Sequence, residues 1–198
     1  MKRKPLFQRT DCQHPVGGSR NRQLKVLDLG CGNNKRPGAI GVDFNERVAV
    51  DVIHNLNNFP YPFEDTSFDE IYLDNTLEHL DDVVRVMEEV HRIVKPGGLV
   101  KVIVPYFRSP WASIDPTHKH FFTVDSFAYF DPEHIICIRY DYSVARFKPQ
   151  KIIFNETIAS SWTKNIILYF ANRWPLRYEY HFSHLYPLDE ITFYLRKL

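Results

Sequence analysis

Apolar positions along the chain follow two alternating periodicities. Val26 to Leu29 is an apolar run broken by one carboxylate, as in a buried parallel strand that carries Asp28 towards its carboxyl end. Ala39 to Val42 is a second short strand closing on Asp43, and Val48 to Ile53 alternates as a third, ending at His54-Asn55-Leu56. Phe68 to Asn75 reads as a fourth, with Asp74 at its tip. Leu77, Leu80, Val84, Met87 and Val94 then share one helical face, with Thr76 as cap and Lys95-Pro96-Gly97-Gly98 as the stop before a strand from Leu99 to Val104. Near the end, Ser160 to Pro175 predicts an amphipathic helix capped by Ser160, carrying Trp162, Ile166, Tyr169 and Phe170, and terminated by Pro175. This alternation predicts an α/β fold with a doubly wound, mostly parallel sheet, whose ligands bind at the carboxyl ends of the strands.

The chemistry concentrates where the first two strands meet that end. Gly30 and Gly32 carry no Cβ, so the backbone turns sharply there and admits a close neighbour, for which a ligand is the natural candidate. Asp43 at the second strand tip suits a ribose diol, which donates two hydrogen bonds to one carboxylate. Where a dinucleotide fingerprint needs a third glycine opening a helix, the chain has Asn33-Asn34-Lys35, which disfavours a nicotinamide enzyme. Gly30 to Ala39 is ten residues and contains Pro37-Gly38. A parallel crossover normally takes about a dozen or more, so the first crossover helix is expected to be shortened or absent.

Leu-Asp-Leu-Gly-Cys-Gly at 27 to 32 resembles the first motif of the class I S-adenosylmethionine-dependent methyltransferases, type 11-like, and Asp43 falls at their ribose-binding acid. Phe59-Pro60 with its acidic turn, Ser67-Phe68-Asp69, Leu77-Glu78-His79-Leu80 and Lys95-Pro96-Gly97-Gly98 follow in the family's order, so the resemblance covers Lys25 to Pro105. It implies a seven-stranded sheet whose last strand is antiparallel, with Val144 to Asn155 and Ile191 to Leu195 as the final two strands. It also implies S-adenosylmethionine as cofactor: Asp28 and Asp74 around the methionine end, Gly30 and Gly32 beneath it, Asp43 on the ribose, and Asn55 and Leu56 at the adenine. A plain turn role accounts for Asn55 equally well.

Composition narrows the setting. The 198 residues, 44% of them hydrophobic, suffice for one core, expected over 25 to 198 behind a flexible basic arm at 1 to 24. A net charge of +1 gives no whole-protein argument for nucleic acid, and the seven basic residues of 1 to 25 against Asp11 are read as a solvated tail. Cys12, Cys31 and Cys137 form no Cys-x-x-Cys pair, which fits a reducing cytoplasm. No apolar run resembles a signal peptide or a membrane span, so a cytoplasmic protein is expected. The late amphipathic helix is read as a core face or the face of a homodimer.

The loop after the fifth strand, Ser109 to Thr123, should lie over the reacting centre. Asp115, His118 and His120 cluster in it, and Tyr106, Phe107, Trp111, Phe121 and Phe122 are expected to exclude water. An acceptor hydroxyl needs a base near neutral pH, which makes His118 and His120 the candidate catalytic residues. His118 locking the loop onto a backbone carbonyl is the equal alternative. Asp-x-x-His-x-His lacks a fourth metal ligand in sequence, so no metal is assigned. The expected activity is methyl transfer to a small, partly apolar acceptor. The alternatives are a non-catalytic cofactor-binding or scaffold protein of the same fold, or an RNA-modifying methyltransferase.

Overall fold

A computed structural model describes residues 24–48, 50–157 and 162–198, so the expected arm, apart from Leu24, lies outside the described residues, as does the expected cap Ser160. Strand β1 (Val26–Leu29) lies inside the sheet, parallel to β2 (Ile40–Asp43) on one side and β4 (Phe68–Asp74) on the other. Beyond β2 comes β3 (Val52–Ile53), and beyond β4 comes β5 (Val94–Pro105). The last strand, β7 (Glu190–Lys197), runs antiparallel between β5 and β6 (Phe147–Phe154). The resulting order, β3-β2-β1-β4-β5-β7-β6, is a seven-stranded sheet with one antiparallel strand, as expected. The chain winds outwards from β1 in both directions, so the carboxyl ends of β1 and β4 open a crevice between diverging connections.

The two faces of the sheet differ sharply. Leu27, Leu29, Ile71, Leu73, Val100 and Val102 share one face by register and are fully buried. Helix α1 (Val83–Ile93) covers it with Val86, Met87, Val90 and Ile93, all in the same apolar cluster. Across the opposite face the register aligns Gly41, Asp28, Tyr72, Lys101, Tyr194 and Lys151, a row carrying three charges and two hydroxyls. The β1–β2 and β2–β3 connections, which would lay helices on that face, supply only a 3-10 turn at Gly32–Asn34 among the described residues. Side chains cover the face instead. Lys35 lies over Gly41, where a Cβ would come within 2.5 Å of its Cδ, and the Arg36 guanidinium lies over the Tyr72 ring at 3.8 Å. Lys101 pairs with Glu156 at 2.8 Å, which also accepts from the Tyr194 hydroxyl at 2.5 Å. With no helix supplied by those two connections, this row pairs its polar groups laterally.

Several boundaries differ from expectation. Among the described residues of the expected third strand, Val52–Ile53 forms the strand, and the Asp51 amide before it donates to the Gly41 carbonyl at 3.0 Å. Thr76 caps nothing: α1 begins after Asp82, whose carboxylate accepts from the Arg85 amide at 3.0 Å, and Leu77–His79 is a separate 3-10 turn. Pro175 does not merely end α4 (Trp162–Arg173); it opens α5 (Pro175–His181), its missing N–H and fixed φ suiting the first helical turn. The segment after β5 holds the short helices α2 (Trp111–Ile114) and α3 (Ile135–Tyr140). In that segment Tyr106 and Phe122 are buried as expected, whereas Trp111 and Phe121 face solvent at 58% and 60% exposure. Those two rings therefore exclude no water from a site in this conformation.

Candidate functional site

The glycine loop is held largely by its own hydrogen bonds. The Gly30 and Cys31 amides both donate to the Val42 carbonyl, at 2.8 and 3.1 Å, and Asn34 donates to the Cys31 carbonyl. Gly32 donates to the Asp43 carboxylate at 3.0 Å, and the other oxygen of Asp43 accepts from the Asn45 amide at 2.9 Å. Asp43 thus stands at the β2 tip against the loop, and its two oxygens keep lone pairs beyond the single amide that each accepts.

The two glycines do different things. At Gly30 a Cβ would lie 2.3 Å from Thr76 Oγ1 and 2.4 Å from Thr76 Cγ2, so the close neighbour that requires glycine is Thr76 rather than a ligand. Gly32 has φ +48° and a Cβ there would meet nothing within 4 Å, so the loop's open side lies at Gly32. Asp28 is 2% exposed and accepts from the Arg36 amide at 2.7 Å, clamping the end of the loop. From the same residue the Arg36 guanidinium reaches Asp74 at 2.8 Å, and among the described residues its Nε has no hydrogen-bond partner. Asp28 and Asp74 are therefore joined through Arg36, a residue that motif reading passed over. Burial between Asp28 and Asp43 pushes the Cys31 thiol up to about 11, which keeps it protonated at neutral pH.

At β3, Asn55 takes the turn role: its side-chain oxygen accepts from the Asn57 amide at 3.0 Å. Leu56 is buried and its carbonyl accepts from Tyr61 at 2.9 Å.

The loop after β5 breaks up the trio expected there. His120 Nε2 donates to the Leu80 carbonyl at 2.9 Å. Asp115 accepts from the backbone and hydroxyl of Thr117 at 2.8 and 2.7 Å. His118 Nδ1 meets the Ala112 carbonyl at 3.2 Å, the loop-locking contact named as the alternative, and its ring packs edge-on to His79 with centroids 4.6 Å apart. His118 thus joins Glu78 and His79 of the turn after β4, one ligand atom from each lying within 4.8 Å of the others. Glu78 is 1% exposed with both carboxylate oxygens lacking a hydrogen-bond partner among the described residues. Burial first, then the charge of Asp115, pushes its carboxyl up to about 8; its own amide offsets this in part without making a hydrogen bond of normal geometry. Leu-Glu-His-Leu was legible in the sequence as a family phrase, but only the fold brings it to His118. A separate concavity lined by Phe107, Arg108, Ser183, His184 and Pro187 contains none of the residues expected to bind cofactor.

Three comparisons bear on this arrangement. Residues 27–102 match the model of a family described as a methyltransferase domain, a span that runs from β1 into β5. A demethylmenaquinone methyltransferase of Lysinibacillus sphaericus is 39% identical over a stretch covering 38% of this chain and 42% of that protein, so the chain spans about two-fifths of the length of the curated relative it matches. The fold is similar to a SAM-dependent methyltransferase from Archaeoglobus fulgidus, with TM-score 0.58 at 20% identity over 88% of this chain and 86% of that one. It is also similar to an S-adenosylmethionine-dependent methyltransferase from Mesorhizobium loti, with TM-score 0.55 at 16% identity over 88% and 91%. At these identities the two structures speak for the fold.

Proposed function

We propose that this chain, whose fold is similar to S-adenosylmethionine-dependent methyltransferases and whose residues 27–102 match the methyltransferase-domain model, transfers a methyl group from S-adenosylmethionine to a small, partly apolar acceptor. The observation that carries this reading is the pairing of Gly32 with Asp43, a carboxylate at the β2 tip set against a loop whose open side would accommodate a ligand.

The residues fit that cofactor. Asp43 holds the ribose hydroxyls through its remaining lone pairs, and Gly32 leaves room beneath the sugar. Arg36 and Asp74 form a pair of opposite charges at the β4 tip that complements an amino-acid zwitterion, the guanidinium facing its carboxylate and Asp74 its ammonium. Bound there, S-adenosylmethionine supplies an electrophilic methyl group on a sulfonium. The chain's remaining task is to align an acceptor, remove its proton and keep water away. We assign Glu78 and His79, in the turn after β4, and His118, in the loop after β5, to the acceptor side. His118 is the residue we assign to activation of the acceptor, while His120 positions the loop through Leu80. A relative named for demethylmenaquinone supports a small organic acceptor.

Calorimetric titration with S-adenosylmethionine and S-adenosylhomocysteine tests the reading. Binding of both is expected, and no heat with either at millimolar concentration overturns it. Comparing small molecules from cells with and without the gene then identifies the acceptor as an accumulating unmethylated precursor.

A further inference from the structure

We infer that Glu78, His79 and His118 form a binding site for a divalent transition-metal ion of the zinc type, with coordination positions left open towards the crevice at the carboxyl ends of β4 and β5. Binding of the ion stands on the geometry alone; its part in the reaction rests on the proposed methyl transfer.

The first support is the donor set. Two imidazoles and one carboxylate are the ligands of open, catalytic-type zinc sites and of facial-triad iron sites, which keep positions free for water or substrate. For ligand atoms at the corners of a triangle with 4.8 Å sides, the centre lies about 2.8 Å from each corner. Zinc bonds of roughly 2.0 to 2.1 Å then require each atom to move inwards by about 0.7 Å, within the reach of side-chain torsions.

The second support is the hydrogen bonding behind the two rings. The Ala112 carbonyl can only accept, so His118 carries its proton on Nδ1 and presents a bare Nε2. Thr117 gives its hydroxyl proton to the Asp115 carboxylate, so it can only accept from His79, whose proton is again on Nδ1. Both histidines are thus fixed in the tautomer that leaves Nε2 for an ion, backed by a carbonyl and by a carboxylate through a hydroxyl, the outer contacts that metal-bound histidines make.

The third is Glu78 itself. A carboxyl group 1% exposed with neither oxygen hydrogen-bonded among the described residues is costly to bury, and nothing beside it compensates either oxygen. A divalent ion supplies that compensation. Next to a bound methyl donor, the same ion would hold an acceptor oxygen and lower its pKa, so that a hydroxyl reacts as an oxyanion near neutral pH.

The full chain, without a polyhistidine tag and stripped by chelator, is titrated with Co2+ and then Zn2+ in the absence of cofactor. One equivalent of Co2+ with visible d–d absorption, displaced by Zn2+, is expected. Glu78→Gln and His118→Ala should each abolish the spectrum, Thr117→Val should weaken binding about ten- to a hundredfold, and His181→Ala, an exposed histidine at the end of α5, should leave it unchanged. Circular dichroism and urea unfolding of the same variants report whether each remains folded, titration with S-adenosylhomocysteine reports cofactor binding separately, and if Glu78→Gln does not fold, His118→Ala decides. Absence of stoichiometric binding by the parent overturns the site, as does its retention in a folded His118→Ala protein. Metal binding without cofactor binding would leave this site standing and remove the proposed function instead.

Discussion

Gly30 lies directly beneath Thr76: a Cβ at position 30 would come within 2.3 Å of the threonine hydroxyl, which itself donates towards the Leu29 carbonyl at 3.2 Å. This contact joins the β1 tip to the β4 tip, the two strands that flank the crevice. Gly30→Ala is therefore expected to destabilise the protein by about 2 to 4 kcal/mol, the sum of overpacking and a left-handed non-glycine residue. Gly32→Ala, with open space above it, should cost only about 1 kcal/mol of folding and instead weaken S-adenosylhomocysteine binding. Urea unfolding of both, with Thr76→Ala as partner in a double-mutant cycle, checks the assignment. Additive effects of Gly30→Ala and Thr76→Ala would refute it.

Asp43→Ala removes the partner of the Gly32 amide as well as the proposed ribose acceptor. Affinity for S-adenosylhomocysteine should fall by about 1.5 to 3 kcal/mol, the range for hydrogen bonds to a charged group. The Asn45 amide is partly exposed and can turn to water, so the fold should survive. Calorimetry showing affinity within about twofold of the parent, under 0.5 kcal/mol, would remove Asp43 from the ribose.

Strand periodicity and the glycine loop made the left half of the sheet legible, because β1, β2 and β4 are short apolar runs bounded by turn residues. The shortened first crossover was legible too, from the ten residues of Gly30 to Ala39 and the Pro37-Gly38 break within them. Thr76 misled because a threonine before an apolar run is also what a packing contact requires, and only Gly30, forty-six residues away in sequence, distinguishes the two. The Glu78, His79 and His118 cluster was hidden for a similar reason. Sequence proximity grouped His118 with His120 and Asp115, whereas the β4 and β5 tips bring Leu-Glu-His-Leu to it from another element. Arg36 belongs to no motif, and its role follows only from the loop geometry that carries its guanidinium to Asp74.

His91 on α1 is a second test, independent of function. Desolvation, with Lys197 and Arg146 nearby, pulls its pKa from the ordinary 6.5 down to about 4, and its ring meets the edge of Phe147 at 5.3 Å. Between about pH 6.5 and 4 the unfolded chain binds the proton and the folded one does not, so stability falls as pH falls through that window and is unaffected above it. The loss attributable to His91 should approach roughly 2 to 3 kcal/mol at the acid end. His91→Leu keeps an apolar contact for Phe147 and removes the titration. Urea midpoints at neutral pH and at about pH 4.5 should converge for the variant relative to the parent. An equal acid loss in both proteins would show that His91 does not carry it.

Arg36 decides how the charged end of a ligand is read. Its guanidinium is bound to Asp74 at 2.8 Å and lies on Tyr72, so Arg36→Ala removes a cation from a partly buried carboxylate and exposes a ring, without touching Asp43 or Gly32. Were the pair only a structural strut, binding of every adenosine ligand would change alike. If it receives the zwitterion, S-adenosylhomocysteine should lose about 1.5 to 3 kcal/mol on Arg36→Ala, while methylthioadenosine, which lacks the amino-acid end, should stay within a few tenths. Arg36→Lys keeps the charge but not the fork or the stacking, and should recover only part of the loss. Parallel calorimetric titrations of the two ligands into the three proteins separate these cases. Equal losses for both ligands would leave the Arg36 and Asp74 pair as a clamp on the loop.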